Sequence, residues 1–93
     1  MRYECDEAKN RSNFTKHGLD FADAAQVLTG RCVTFLDNRF DYGEERFISI
    51  GPLVGRLIAI AHTPRGPDLT RIISMRKANR REQKIYQERL GPH

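Results

Sequence analysis

Apolar residues in the first third of the chain recur at the spacing of an α-helix. Positions i, i+3, i+4 and i+7 of one segment are Phe21, Ala24, Ala25 and Leu28. Side chains at this spacing lie on one side of a helix. Asp20 is a favourable N-cap and Gly30 a favourable end. The pattern predicts a short amphipathic helix that begins at Asp20 and ends near Gly30.

An earlier helix is indicated by its capping residues more than by its apolar content. Asp6 is a good N-cap, Gly18 is a good C-terminal stop, and residues 7–17 between them are mostly polar. Ala8 and Phe14 form the narrow apolar stripe of this segment. We expect this helix to pack on the rest of the fold through that stripe.

The pattern then changes to β-branched and aromatic residues separated by turn-forming residues. Four such runs occupy residues 32–36, 45–50, 56–62 and 69–75. Their short connections favour an antiparallel meander, and residues 2–5 are a candidate edge strand. Asn79 and Glu82 have capping-box spacing, which predicts a last helix from about Asn79 through Leu90. The expected fold class is α+β: two N-terminal helices, a four-stranded antiparallel sheet and a C-terminal helix, with the helices on one face.

Alternation along the fourth of these runs sorts its arginines between the two faces of the sheet. Arg71 shares one side with Ile73 and Met75, whereas Arg76 falls on the other side with Ile72. An unpaired charge buried in a sheet is costly. We therefore expect these arginines to reach the rim of the sheet or to find partners.

Composition narrows the class of protein. The 93 residues, 39% hydrophobic and 30% charged, predict one globular domain over residues 1–93. No apolar run is long enough to cross a membrane or to act as a signal peptide, so we expect a cytoplasmic protein.

Cys5 and Cys32 are far apart and are expected to be reduced. His17, His62 and His93 lack metal-ligand spacing, so we expect neither a metal nor another cofactor.

Charge is concentrated near the end of the chain. Residues 1–70 carry nine Lys and Arg against ten Asp and Glu, whereas residues 71–93 carry seven against two, a net charge of +5. A localised positive surface fits a polyanion or an acidic protein partner. A solvated helix face gives the same pattern, and a non-catalytic binding module for nucleic acid or an acidic protein would carry it too.

Several blocks, taken together, resemble the BrnT toxin family. They are residues 3–9, Asn13, residues 16–21, residues 44–51, His62 and Thr63, residues 71–78, Arg81 and Glu82, and Tyr86. The blocks run in order over nearly the whole chain. Cys5 replaces a tryptophan that is usual in the family, and Met75 replaces a common alanine.

This resemblance implies a RelE-like fold and a ribonuclease that arrests translation. It also implies a cognate antitoxin similar to BrnA, with a ribbon-helix-helix region that binds operator DNA. The toxin would contact operator DNA only through the antitoxin, and two toxins with two antitoxins is the expected assembly.

RNA cleavage without a metal uses the 2′-hydroxyl of the substrate as nucleophile, so the protein must stabilise charge on the phosphate and help to move protons. Arginine suits the phosphate, because its planar fork donates two hydrogen bonds and stays charged. Arg71 and Arg76 are the favoured candidates, and the resemblance implies that they line a groove on the sheet. Glu45 and Arg46 face opposite ways in a strand, and we favour Arg46. Each of these residues could instead form an ordinary surface ion pair.

Two histidines complete the predicted catalytic set. His17 ends the first helix, where the helix dipole favours the imidazolium form, and it could act as an acid, a phosphate clamp or a simple helix cap. His62 ends an apolar strand and could be catalytic or a structural histidine at the edge of the core. The predicted RNA-binding residues are Lys16, Arg80, Arg81, Lys84 and Tyr86. Tyr86 would stack on a base or pack on the sheet, and the arginines and lysines would steer the RNA backbone.

Overall fold

The computed structural model describes residues 2–90. Its elements are β1 (Arg2–Cys5), α1 (Glu7–His17), a 3₁₀ turn (Phe21–Asp23), α2 (Ala24–Leu28), β2 (Val33–Leu36), β3 (Phe47–Leu53), β4 (Arg56–Gly66), β5 (Leu69–Lys77) and α3 (Arg80–Leu90). None of the helices in this part of the chain has the length and apolar character that a membrane crossing requires. Cys5 and Cys32 are half-buried and do not form a disulfide.

The strands form one mixed sheet in the order β1-β5-β4-β3-β2. Strands β2 to β5 are antiparallel neighbours, as the sequence predicts, but β1 adds a fifth strand that runs parallel to β5. The expected sheet of four antiparallel strands is therefore wrong, because the candidate edge strand at residues 2–5 adds a fifth strand and makes the sheet mixed. A parallel neighbour requires a long crossover, because the chain must return to the same end of the sheet. Here the crossover is most of the chain.

The second N-terminal helix also differs from the expectation. The segment after Asp20 starts as a 3₁₀ turn and continues as a five-residue α-helix, instead of one continuous amphipathic helix. Its apolar residues still serve the core, since Phe21, Ala24 and Val27 are buried. The architecture is α+β, but it departs from the expected RelE-like arrangement of two N-terminal helices on a four-stranded sheet.

Helices lie on both faces of the sheet. One face, called here the α1–α2 face, carries Ile58, Ile60 and Met75, which pack against Phe21 and Val27. The other, called the α3 face, carries Ile48, Ile50 and Ala59, which pack against Ala78 and Tyr86. The expectation that all helices share one face is therefore wrong. Pairs of directly opposite residues along β3 and β4 alternate between these two clusters, as the pleat of a sheet requires.

Helix α1 forms as predicted but packs through a different side. Asp6 accepts hydrogen bonds from the backbone N–H groups of Ala8 and Lys9, and Gly18 closes the helix in the left-handed region with φ 70°. Phe14 is nevertheless 55% exposed, and Ala8 is exposed as well. The predicted apolar stripe is wrong. The buried residue of the helix is Asn13.

Asn13 is buried because it completes the edge of the sheet. Strand β1 pairs with β5 only as far as Ile72, so the next part of that edge needs another hydrogen-bond partner. The Asn13 side chain accepts a hydrogen bond from the Met75 backbone N–H at 3.1 Å and donates one to the Leu19 carbonyl oxygen at 3.2 Å. A buried backbone N–H without a partner is costly, which explains why a polar side chain faces the fold here.

We predict that Asn13→Leu destabilises the protein by about 1–3 kcal/mol, because the Met75 N–H loses its acceptor. This loss should occur even though leucine is the better helix former by roughly 0.5 kcal/mol. Phe14→Ala on the same helix should cost about 0.5 kcal/mol or less. Urea unfolding of both variants measures the difference, and a larger cost for Phe14→Ala would contradict this account of α1.

Candidate active site on the α3 face

Three arginines from the predicted site share the α3 face. Arg76 lies opposite Ala59, and Arg71 lies opposite Thr63, two residues from Ala61 on the same strand. Arg46 precedes the buried Ile48 by two residues, and its carbonyl oxygen accepts the Asp37 N–H, which continues the ladder between β2 and β3. Alternation places all three side chains on one side of the sheet.

A bulge in β5 brings Arg71 and Arg76 to this common face. His62 pairs with Ile72 and Ala61 pairs with Ser74, so Ile73 is an extra residue between them. One extra residue in a strand moves every side chain beyond it to the opposite face of the sheet. The simple alternation predicted opposite faces for the two arginines, and that prediction is wrong.

Arg76 is held by a two-pronged ion pair with Glu82. Its two terminal nitrogens donate to the two carboxylate oxygens at 2.6 and 2.8 Å, and the Glu82 side chain is 9% exposed. The same carboxylate accepts the Asn79 N–H at 2.9 Å, while the Asn79 side chain accepts the Glu82 N–H at 2.8 Å, which confirms the predicted capping box. The hydrogen bonds to the Glu82 carboxylate raise the pKa of Arg76. They also lower the pKa of Glu82, although its burial acts in the opposite direction.

A second network starts from Asp37, at the end of β2. Its nearly buried carboxylate accepts hydrogen bonds from Arg39 Nε at 2.8 Å, Arg39 Nη2 at 3.0 Å and the Tyr42 hydroxyl at 3.1 Å. Hydrogen bonds from the Arg39 side chain lower the pKa of Asp37 to about 2. The Arg46 guanidinium lies 4.1 Å above the Tyr42 ring, a distance at which a cation is attracted to the ring face. Asp37 therefore orients Arg39 directly and Arg46 through Tyr42.

The other two arginines of the predicted catalytic set also have carboxylate partners. Arg71 donates to Glu4 on the adjacent strand β1 at 3.0 Å. Arg46 donates to Glu44 at 3.1 Å, and Arg65 approaches the same carboxylate at 3.9 Å. Each predicted arginine is thus partly exposed and held in one orientation.

The two predicted histidines lie elsewhere. His62 faces the α1–α2 side, where it stacks on Phe47 with ring centroids 6.0 Å apart and shares a 2.8 Å hydrogen bond with the Ser49 hydroxyl. Burial lowers the pKa of His62, which favours the neutral ring at pH 7. His17 is the exposed last residue of α1, next to the exposed Lys16, and α1 leads into Leu19 of the α1–α2 cluster. The structure brings neither histidine to the arginines.

The predicted RNA-binding residues of α3 have two kinds of environment. Arg80, Arg81 and Lys84 are exposed, and their side chains form no hydrogen bond or ion pair within residues 2–90. Tyr86 packs against the α3-face cluster, and its hydroxyl donates to the Arg31 carbonyl oxygen at 3.0 Å. The tyrosine thus joins α3 to the segment before β2.

Asp37, Arg39 and Tyr42 were absent from the predicted site. They fall in a turn-rich segment, residues 37–43, that the sequence marks only as the end of a strand. The sequence signal that could have identified them is the spacing of Asp37, which lies two positions before Arg39 and five before Tyr42. This spacing allows an Asp side chain to bond groups of its own turn.

The arrangement is suited to binding a phosphate group and stabilising negative charge on it. A guanidinium has five N–H donors, and a carboxylate occupies two of them, so the others remain for phosphate oxygens. Within residues 2–90 no cluster of three or more His, Cys, Asp or Glu side chains could hold a metal ion.

Comparison with known proteins identifies the family. The model of the family described as "Ribonuclease toxin, BrnT, of type II toxin-antitoxin system" matches residues 5–82. The chain belongs to the BrnT family. The resemblance drawn from the sequence blocks is thereby confirmed, and type II membership implies a protein antitoxin as partner.

A solved BrnT structure supports the same conclusion. The chain is similar to the Brucella abortus ribonuclease toxin BrnT, known from a 1.1 Å crystal structure, with a TM-score of 0.67 and 35% sequence identity. The match covers 86% of this chain and 99% of the Brucella chain. No curated protein sequence matches this BrnT family member.

For this BrnT protein we predict that Asp37→Asn removes stability that depends on pH. The pKa of Asp37 falls from an ordinary 3.8 to about 2 on folding, so its contribution is complete above pH 4 and disappears as the pH falls through 2. The shift corresponds to about 2 kcal/mol at pH 7. Urea unfolding of both proteins at pH 7, 4 and 2 measures this, with the exposed Glu88→Gln as control. A constant difference between wild type and Asp37→Asn down to pH 2 would contradict the ion-pair origin.

Proposed function

We propose that this chain is an endoribonuclease toxin that cuts RNA without a metal and arrests translation in the cytoplasm. Family membership supports the ribonuclease class. The observation that carries the proposed mechanism is the set of carboxylate-oriented arginines on the α3 face, Arg46, Arg71 and Arg76. Their guanidinium groups would bind phosphate at one surface, and their carboxylate partners already hold them in position.

In the proposed reaction the 2′-hydroxyl of the substrate loses its proton and its oxygen bonds to the adjacent phosphorus. The bond from phosphorus to the 5′-oxygen breaks, and that oxygen takes up a proton. The products are a 2′,3′-cyclic phosphate and a free 5′-hydroxyl. Negative charge grows on the two non-bridging oxygens, where fixed guanidinium donors stabilise it most.

Arg76 is the central phosphate ligand in this proposal. Among the three arginines it has the most buried carboxylate partner, because the Glu82 side chain is only 9% exposed, and Glu82 fixes its orientation. Arg46 and Arg71 extend the positive surface along the RNA backbone. His17 and His62 lie on the other side of the sheet, and the proposed mechanism does not require them.

Removing the Arg76 fork should abolish most cutting. We expect Arg76→Ala to reduce the rate by about 10²–10³-fold, the usual effect of losing a transition-state donor, with a smaller loss for Arg76→Lys. Arg56→Ala removes the same charge from the exposed first residue of β4 and should cut normally. The assay uses purified toxin, single-stranded RNA and EDTA, and circular dichroism verifies the fold of each variant. Normal cutting by Arg76→Ala would contradict the assignment of the site.

Replacing the scissile nucleotide by its 2′-deoxy form tests the nucleophile. We expect complete protection at that position and normal cutting elsewhere in the same RNA, because the attacking oxygen is absent. Mass spectrometry of the products should show the cyclic phosphate. Cutting at the deoxy position would contradict the proposed nucleophile. Failure of the wild-type toxin to cut any RNA would contradict the proposed ribonuclease activity. It would favour the alternative function, a non-catalytic binding module.

We further propose that the antitoxin is BrnA-like, with a ribbon-helix-helix region through which the pair binds operator DNA. Type II membership supports a protein partner, and the arginines of the α3 face suit an acidic segment that covers them. Co-expression with the neighbouring antitoxin gene should give a complex with the mass of two toxins and two antitoxins that does not cut RNA. Light scattering of the purified complex measures the mass. A one-to-one complex, or a complex that still cuts, would contradict this assembly.

A further inference from the structure

We propose that the cleft between the end of β2 and the first turns of α3 binds the RNA base next to the cut phosphate and selects guanine. This inference rests on the proposed ribonuclease function and names the part of the substrate that sets its specificity. The residues that would read the base are Asn38 and Arg81.

The cleft has the floor that a nucleobase requires. It measures about 160 Å³, and its apolar lining includes Phe35, Ile48 and Ile85 from three different elements. Flat bases are held by stacking on aromatic and apolar side chains, which contributes to binding of every base. The floor therefore explains affinity for a base without explaining selection among bases.

The cleft lies beside the ion pair of Arg76 and Glu82. Arg39 and Asp37 form one wall, and Glu82, the partner of Arg76, forms part of the other. The charge of Arg39 acts to lower the pKa of both Arg76 and Glu82, as a neighbouring cation does. A nucleotide whose phosphate contacts Arg76 would thus have its base within reach of this cleft.

Most polar side chains that line the cleft already have partners in the protein. Asp37 binds Arg39, and the Glu82 carboxylate binds Arg76 and the Asn79 N–H. The side chains of Asn38 and Arg81 line the same cleft and make no hydrogen bond or ion pair within residues 2–90. Their donors and acceptors are available to a ligand.

An arginine fork distinguishes guanine from adenine, and guanine O6 and N7 are the base atoms it contacts most often. Guanine presents two adjacent acceptors, O6 and N7, whereas adenine presents a donor at N6 beside N7. RNA bases outside a duplex expose these edges to proteins. Arg81 can therefore bond guanine twice, and the Asn38 amide, which has both donor and acceptor atoms, can bond a further edge.

The first experiment compares cleavage maps of a random RNA pool. Wild type should prefer guanine at one fixed position next to the cut, and Arg81→Ala should reduce that preference by at least about tenfold. Arg80→Ala is the matched control, because it removes the same charge one residue away from an exposed position outside the cleft lining. It should slow cutting at all sequences equally. An unchanged guanine preference in Arg81→Ala would overturn the proposal.

The second experiment does not depend on cleavage. Guanosine monophosphate added to the wild-type protein should shift the NMR signals of Ile48 and Ile85 methyl groups, with at least about tenfold weaker binding of the adenosine, cytidine and uridine monophosphates. Absence of these shifts, or equal binding of all four, would overturn the base site. If the nucleotide binds selectively but wild type cuts no RNA, the base site stands and the proposed ribonuclease function fails.

Discussion

The ion pair between Arg76 and Glu82 determines where the proposed site on the α3 face lies. Glu82 belongs to the first turn of α3, and its carboxylate binds both the Asn79 N–H of the helix cap and the guanidinium at the end of β5. The Ala78 N–H also donates to the Leu57 carbonyl oxygen, which ties the same corner to β4. Together these bonds set the direction in which α3 crosses the sheet. The cleft and the outward donors of Arg76 depend on that direction.

Removing one partner of this ion pair costs more than removing one partner of a surface pair. Pairs of exposed side chains contribute roughly 0–1 kcal/mol, whereas breaking a buried pair by removing one partner costs about 3–5 kcal/mol. Glu82 is nearly buried, so loss of Arg76 would leave a carboxylate without its main partner. A residue of the proposed site thus also stabilises the start of α3. The two roles explain why a conservative lysine belongs beside alanine in any test of Arg76.

The local features of the fold could be predicted from the sequence, because neighbouring residues determine them. Asp6, Gly18 and the pair of Asn79 and Glu82 cap their helices as their types and spacing indicate. The side on which α1 packs could not be predicted in this way. Asn13 is buried because an unpaired N–H of β5 faces it, and β5 lies 62 residues away in the sequence. The positions of apolar residues in the sequence favour Phe14 as the buried residue. They do not show that a backbone N–H of β5 requires an acceptor from α1.

The same limit applies to the candidate site. The arginines were found from their type and from the charge at the end of the chain, but their common face depends on the bulge at Ile73. Alternation along one strand does not show a bulge, since the extra residue is defined by pairing with β4. Asp37 and Arg39 were missed because their contact forms within one turn, where residues two positions apart meet. His62 was included because its type suggests catalysis, whereas its burial and its bond to Ser49 fit a core position.

In the proposed mechanism, the ion pairs that these arginines form with carboxylates would let one surface bind RNA quickly and hold its phosphate in a defined geometry. Arg39, Arg46, Arg71 and Arg76 each face a carboxylate, so the field of each pair is weak at a distance. Long-range attraction must then come from side chains without such partners, and within residues 2–90 these include Arg80, Arg81 and Lys84 on α3. The paired arginines act at short range, because their orientation is fixed before the phosphate arrives and less side-chain freedom is lost on binding. Attraction and positioning are therefore separate tasks, performed by neighbouring residues of the same face.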